Sequence, residues 1–163
     1  MQAGRRRQNN SARNEIQISG NRISGYGDIE TEVKQQTIKA ARAAGCLIET
    51  IWKNKYISIE AKSRTYKTVI RPIMTYAAET RPDTAKTKRL LKTSEMKVLR
   101  KITGKTLLDR ERSDDIRQKC RVENINEWVL SRKREWDEHI SRMSEERIVK
   151  IARDNSPLGR RSM

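Results

Sequence analysis

The sequence predicts an all-α protein: an irregular helical bundle of five to six helices between disordered basic termini. Apolar residues recur at three- and four-residue spacing through most of residues 28–151. Residues that start and stop helices stand at the ends of those stretches. No run alternates apolar and polar residues well enough to read as a strand.

Residues 1–27 read as a basic linker. They hold Arg5-Arg6-Arg7, then Asn, Ser and Gly, with Ile16, Ile18 and Ile23 as isolated apolar points and Ser24-Gly25-Tyr26-Gly27 as a turn. The Arg triplet suits a nuclear-import signal, a phosphate contact or a solvated tail. Asp28 is the expected N-cap of a first helix, with Glu30 and Glu32 complementing its dipole. Val33, Thr37, Ala40, Ala41, Ala44, Leu47, Ile48 and Ile51 follow at helical spacing, and the helix should end near Trp52 to Tyr56. The small residues from Ala40 to Gly45 would let another helix come close.

Ser58 and Glu60 open a second helix whose apolar side is read as Ile59, Tyr66, Val69, Ile70, Ile73, Met74 and Ala77. Pro72 lies inside it and predicts a kink, because an interior proline costs on the order of 3 kcal/mol. Arg81-Pro82-Asp83 breaks the chain. A third helix begins near Asp83 or Thr84 and runs to about Thr103, with Gly104 as its stop. Leu90, Leu91, Met96, Val98, Leu99 and Ile102 are its apolar positions. A short helix near Ser113 to Cys120 follows, then a longer one from Asn124 or Asn126 to Met143, striped by Ile125, Val129, Trp136, Ile140 and Met143. The last helix comes after Ser144, with Glu145 and Glu146 in its first turn and Ile148 and Ile151 as its buried side. The expected organisation is a basic segment 1–27, a helical domain 28–104, a C-terminal helical region 105–155 and a basic tail 156–163.

Hydrophobic residues make up 34% of the chain and charged residues 36%, Phe is absent, and the mean hydropathy is −0.92. Such a chain builds a modest core and gains stability from a neighbour. The formal net charge is +16, which speaks of partners more than of fold. Its distribution is uneven: +4 in residues 1–27, +9 in 28–104 and +3 in 105–163. An anionic polymer is the implied partner. Cys46 and Cys120 fit neither a metal spacing nor a disulfide framework, which favours a reducing, intracellular setting, nuclear or cytoplasmic. No apolar run reaches the roughly 18 residues of a membrane span, and no signal-peptide pattern opens the chain. No membrane partner is expected.

Three features resemble catalytic chemistry without its context. Asp114-Asp115 would need a tight hairpin between apolar strands to grip two metal ions, yet it follows Arg110-Glu111-Arg112-Ser113, where Ser113 reads as an N-cap with acids behind it. His139, the single histidine, sits beside Glu138 with no nucleophile or second ligand in a recognisable arrangement. The seven glycines match no phosphate-binding loop. No catalytic or metal residue is assigned, and no cofactor is expected in this chain.

The positive signal is the third helix. Lys86, Lys88, Arg89, Lys92, Lys97, Arg100, Lys101 and Lys105 place eight cations in twenty residues against the single acid Glu95. A solvated helix face normally mixes signs, as residues 131–147 do. This one does not, which points to contact with a phosphate backbone. Lys53 and Lys55 add to the set. The neighbouring Trp52 and Tyr56 have rings that could stack on bases or sugars, with core packing the favoured role for Trp52.

These residues also form an ordered series of motifs. Ile57-Ser58-Ile59-Glu60-Ala61-Lys62, Tyr66-Lys67 and Arg71-Pro72-Ile73-Met74-Thr75-Tyr76-Ala77-Ala78-Glu79-Thr80 follow one another. Glu32-Val33 through Ala40, Ala44 and Ile51-Trp52-Lys53 precede them, and Arg89-Leu90-Leu91, Met96 and Leu99-Arg100-Lys101-Ile102-Thr103-Gly104 come after. Trp136, His139-Ile140 and Arg142-Met143 close the series. In order and spacing, from about residue 25 to 162, it resembles the thumb and C-terminal region of non-LTR retrotransposon endonuclease-reverse transcriptases.

The resemblance implies a thumb that closes on the backbone of an RNA–DNA or DNA duplex. It also implies partner palm and fingers domains elsewhere, and a parent RNA-directed DNA polymerase that would use Mg. The chain departs from the pattern in three places. It lacks the palm with its metal-binding aspartates, the fingers and the endonuclease, so it is expected to be inactive alone. Residues 1–22 do not match the primer-grip region, and Arg81 stands where relatives usually have Trp. A stand-alone helical DNA-binding module, with residues 105–143 acting as a helix-turn-helix, is one alternative. The other is a protein-interaction scaffold anchored by Trp128 and Trp136.

Overall fold

The computed structural model describes residues 15–18, 21–24 and 29–154, with side chains described for 29–154. Most of the basic segment 1–27, the basic tail 156–163 and the N-cap role of Asp28 lie outside the described residues. The described chain is all-helical except for one hairpin. Strand β1 (Glu15–Ile18) pairs antiparallel with β2 (Asn21–Ser24), in a register that sets Ile16 opposite Ile23. This corrects the reading of the segment as a linker without strands. Four-residue strands are too short for alternation to stand out, and Ile16 and Ile18 were the alternating pair.

Helix α1 spans Ile29–Cys46 and buries Val33, Gln36, Thr37, Ala40 and Ala44. Ala41, expected on the same side, is exposed. The small side chains of Ala40 and Ala44 sit at 0% and 1% exposure on a helix that packs against α3 (Arg71–Met74) and α4 (Ala85–Thr103), so the close approach read from the sequence holds. After Cys46 the chain widens into a π-helical turn, Ile48–Trp52. It folds the Trp52 indole back so that Nε1 donates to the Ala44 carbonyl at 2.8 Å. Lys62 then donates to the Trp52 carbonyl at 2.9 Å. Trp52 is thereby a core residue, 3% exposed, with no face left for stacking.

The second expected helix is divided. Ser58 caps α2 (Ile59–Thr65) by accepting from the Ala61 N–H, then come a π-helical stretch, Tyr66–Ile70, and α3 with Pro72 in its first turn. The buried positions explain the widening. Lys62, Tyr66, Ile70, Met74 and Ala78 are all buried and repeat every four residues. In a regular α-helix that period would drift about 40° per step and carry the stripe off the core within a few turns. A π-helical stretch holds more residues per turn and keeps the stripe on one face. It also precedes Pro72, whose missing N–H and bulky ring disfavour an ordinary α-turn behind it. Where a kink at the proline was expected, the helix is divided into α2, the π-helical stretch and α3. The apolar side read from sequence is corrected at Ile59 and Val69, which are 42% and 43% exposed.

Helix α4 begins and ends where its caps dictate. The Thr84 hydroxyl accepts from the Thr87 N–H, and the Thr87 hydroxyl accepts from the Thr84 N–H. Gly104 takes the left-handed conformation, φ 67, and Lys105 donates back to the Arg100 carbonyl. Helix α5 spans Ser113–Cys120 as read, but Arg112 is its cap and no side chain bonds there, so Ser113 is not the N-cap. Asn124 caps α6 (Ile125–Ser141), its side-chain oxygen accepting from the Asn126 N–H.

A single buried cluster joins α1 to α6 across residue 104, with Tyr66, Ile70, Leu91, Leu99, Ile116, Ile125 and Val129 in its centre. Helix α7 (Ile148–Asp154) buries nothing. Ile148 and Ile151, expected as its buried side, are 82% and 44% exposed. Glu145 and Glu146 precede this helix rather than open it.

Candidate nucleic-acid interface

The core contains charge. Glu95 is fully buried in the middle of α4, and its Oε2 accepts from Nε and Nη2 of Arg117 at 3.0 and 2.8 Å. Arg117 also reaches Asp114 at 2.8 Å. Burial pushes the Glu95 carboxyl upward, and the Arg117 guanidinium pulls it back down. Beside this pair, the Arg71 guanidinium lies over the Tyr66 and Trp128 rings, 5.5 and 5.3 Å from their centroids. Burial, reinforced by the nearby Glu95 charge, raises the Tyr66 phenol well above its ordinary value.

This arrangement settles the surface of α4. Glu95 is the helix's one acid, and it points inward to Arg117, so the outer surface holds cations without an acid of its own helix between them. At 3.6 residues per turn, Lys86, Arg89, Lys97, Arg100 and Lys101 fall within an arc of about 120°, turned away from the buried stripe and running about 22 Å along the axis. Lys88 and Lys92 lie on the neighbouring flank, roughly 60–100° beyond its edge. The seven cations on the helix thus form one broad arc and a flank, and Lys105 lies beyond its C-terminal end.

Their surroundings differ. Lys88, Arg89, Lys92, Lys97 and Lys101 are exposed, and no carboxylate among the described residues pairs with them. Arg100 is half-buried, its Nε enclosed by the fold. Lys86 meets Glu30 at 3.5 Å with its side chain 80% exposed, a surface pair of little strength. Lys105 is held by Glu111 at 3.0 Å, which raises its pKa, and the same carboxylate binds Lys119. Lys53 and Lys55 lie apart on the loop after Trp52. Lys53 pairs with Glu49 at 2.6 Å, and Lys55 and the neighbouring Tyr56 are exposed.

The exit from α4 adds residues that sequence reading did not select. Arg110 and Arg112 are exposed in the loop beyond Gly104, together with Leu107 and Leu108. Loop residues have no periodic spacing to betray them. The only signal was an apolar doublet set between cations.

The catalytic look-alikes take ordinary places. Asp114 and Asp115 are exposed in the first turn of α5, and among the described residues no His, Cys, Asp and Glu cluster forms a metal site. His139 is exposed, with its ring 5.7 Å from that of Trp136. Both line an open cavity of about 620 Å³ with Glu79, Thr80, Arg132 and Arg142. Glu79-Thr80 and the Trp136–Arg142 stretch, parts of two motifs distant in sequence, meet in this groove. Among the described residues, no helix is long and apolar enough to cross a membrane. No known protein family, curated protein or solved structure matches the chain.

Proposed function

We propose that the chain binds the sugar-phosphate backbone of a nucleic-acid duplex along the outer arc of α4. In this reading it is the thumb-like part of a retrotransposon reverse transcriptase, acting inside the cell without a catalytic site of its own. Chemistry and Mg would then belong to the palm of the parent RNA-directed DNA polymerase. The observation that carries the reading is the inward-facing Glu95, which leaves Arg89, Lys97 and Lys101 on a surface of one sign. The order of motifs along residues 25–162 supports the parentage. A backbone grip needs cations and no base-reading side chains, and Lys and Arg on a rigid helix are suited to it.

The test is the salt dependence of binding to a labelled RNA–DNA hybrid. With about five phosphates contacted, log K should fall with log salt at a slope near −4.5, with little preference for sequence. Lys97→Ala with Lys101→Ala should flatten that slope by about 2. A slope near zero, or a preference of about a thousand-fold for one sequence, overturns the reading.

The exposed Ile148, Val149 and Ile151 of α7 favour a second role in protein contact, toward the palm or fingers of the same polymerase. Trp128 is a weaker anchor than the sequence suggested, because Arg71 and Arg132 already lie over its ring.

A further inference from the structure

We propose that the turn Leu107–Arg110 is an apolar wedge that inserts between stacked bases at the end of the duplex held by α4. The proposal rests on the backbone-binding reading above and adds a second mode of contact to it.

The turn is self-supporting. The Asp109 carboxylate accepts from both the Thr106 N–H, at 2.6 Å, and the Thr106 hydroxyl, at 2.9 Å. Arg110 donates its N–H to the Leu107 carbonyl at 3.3 Å and takes a left-handed φ of 51. At the base of the turn, Glu111 bridges Lys105 and Lys119, each at 3.0 Å, and ties the loop to α5. Both acids of the segment are thus occupied by the loop itself. What the turn presents outward is Leu107 and Leu108, 76% and 91% exposed, with Arg110 and Arg112 exposed beside them.

Single exposed leucines are common, but a doublet at the tip of a braced turn keeps apolar surface in water without relief from the fold. Its rim is cationic, and the turn begins directly after the basic arc of α4 ends at Gly104. The matching ligand is a polyanion with an apolar interior. A nucleic-acid duplex has that construction, and leucine is among the side chains that wedge between base steps. A flat anionic lipid surface is also apolar beneath its charge, but it would meet one side of α4 only. A groove with phosphates on both walls meets the whole arc of about 120°.

The experiment uses the full chain and a duplex carrying a fluorescent adenine analogue whose emission rises on unstacking. The wild-type chain should raise the emission at saturation. Leu107→Ser with Leu108→Ser should abolish that rise and weaken binding about ten-fold, with the salt slope unchanged. Both side chains are exposed, so helical circular dichroism should not change. Lys97→Ala with Lys101→Ala should lower affinity and slope yet keep the rise at saturation, which separates the wedge from the backbone grip. Tight, salt-dependent binding with no change in emission, or a leucine variant that behaves as wild type, overturns the wedge and leaves the grip standing. So does a leucine variant that loses only binding to phosphatidylserine vesicles. A chain that does not bind the duplex at all overturns both.

Discussion

Arg117 donates two hydrogen bonds to one oxygen of Glu95, joining α5 to the middle of α4 through a carboxylate with no solvent exposure. The pair does two things at once. It fixes the α5 docking geometry inside the core, and it removes the only acid from the surface of the basic helix. Removing one partner of a buried pair leaves an uncompensated charge, which costs on the order of 3–5 kcal/mol. Arg117→Met should therefore lower stability in urea unfolding by about that amount. Glu95→Met with Arg117→Met should cost much less than the two single changes together. Additive losses would show that the two residues do not act as a pair.

Backbone conformation gives a prediction of opposite signs at two positions. Gly104 has φ 67 with nothing near its absent Cβ, so Gly104→Ala meets no clash and costs only the left-handed strain, about 1 kcal/mol. Ala77 has φ 55 and already bears that strain. Ala77→Gly should be neutral or stabilising by up to about 1 kcal/mol, in spite of the general cost of glycine. Paired urea midpoints would check both, and a stabilising Gly104→Ala would refute the argument.

Where each local signal was strong, sequence and structure agree. Thr84 and Gly104 set the ends of α4 because capping is decided within one turn of chain. The core side of α2 and α3 was misread at Ile59 and Val69, since a helical period of 3.6 was imposed on a stripe repeating every four residues. No single-helix reading could anticipate the π-helical stretch that resolves it. Apolar residues of α7 were assigned to a core they do not reach, because periodicity shows a face and not what covers it. The ten cations chosen as the site are nearly all at the surface, but their pairing with Glu30, Glu49 and Glu111 needed coordinates. That Glu95, the single acid of the run, points inward to Arg117 needed coordinates as well.

The two cysteines should react very differently. Cys46 is exposed at the end of α1, whereas Cys120 is buried and burial raises its thiol pKa. A maleimide or disulfide reagent at neutral pH should label one thiol per chain in the native protein and two in denaturant. Cys46→Ser should remove the fast phase entirely. Rapid native labelling of Cys120 would mean that α5 opens from the core far more readily than its packing against Ser63 and Lys67 implies.

Acidification should loosen the Leu107–Arg110 turn before it unfolds the helices. The Asp109 carboxyl is held below its ordinary value of 3.8 by the Thr106 N–H and hydroxyl. Glu111 is held below 4.5 by Lys119 and Lys105. A lowered folded pKa means that the folded state binds fewer protons than the unfolded one. The stability these groups give is thus fully present above their ordinary values and is lost as pH falls through the lowered folded ones. Both groups lie at the surface, so added salt should weaken the Glu111 bridge but leave the Thr106 cap largely intact. The protection of the Thr106 amide, the slowing of its exchange relative to a free peptide at the same pH, should therefore be high at pH 5 and be lost at pH values below about 3.8, with α4 still protected. Asp109→Asn keeps an acceptor but removes the charge, so it should abolish this pH dependence and retain part of the turn. If Thr106 exchanges as fast at pH 5 as in a peptide of the same sequence, the turn is not braced, and Leu107 and Leu108 have no fixed platform from which to act.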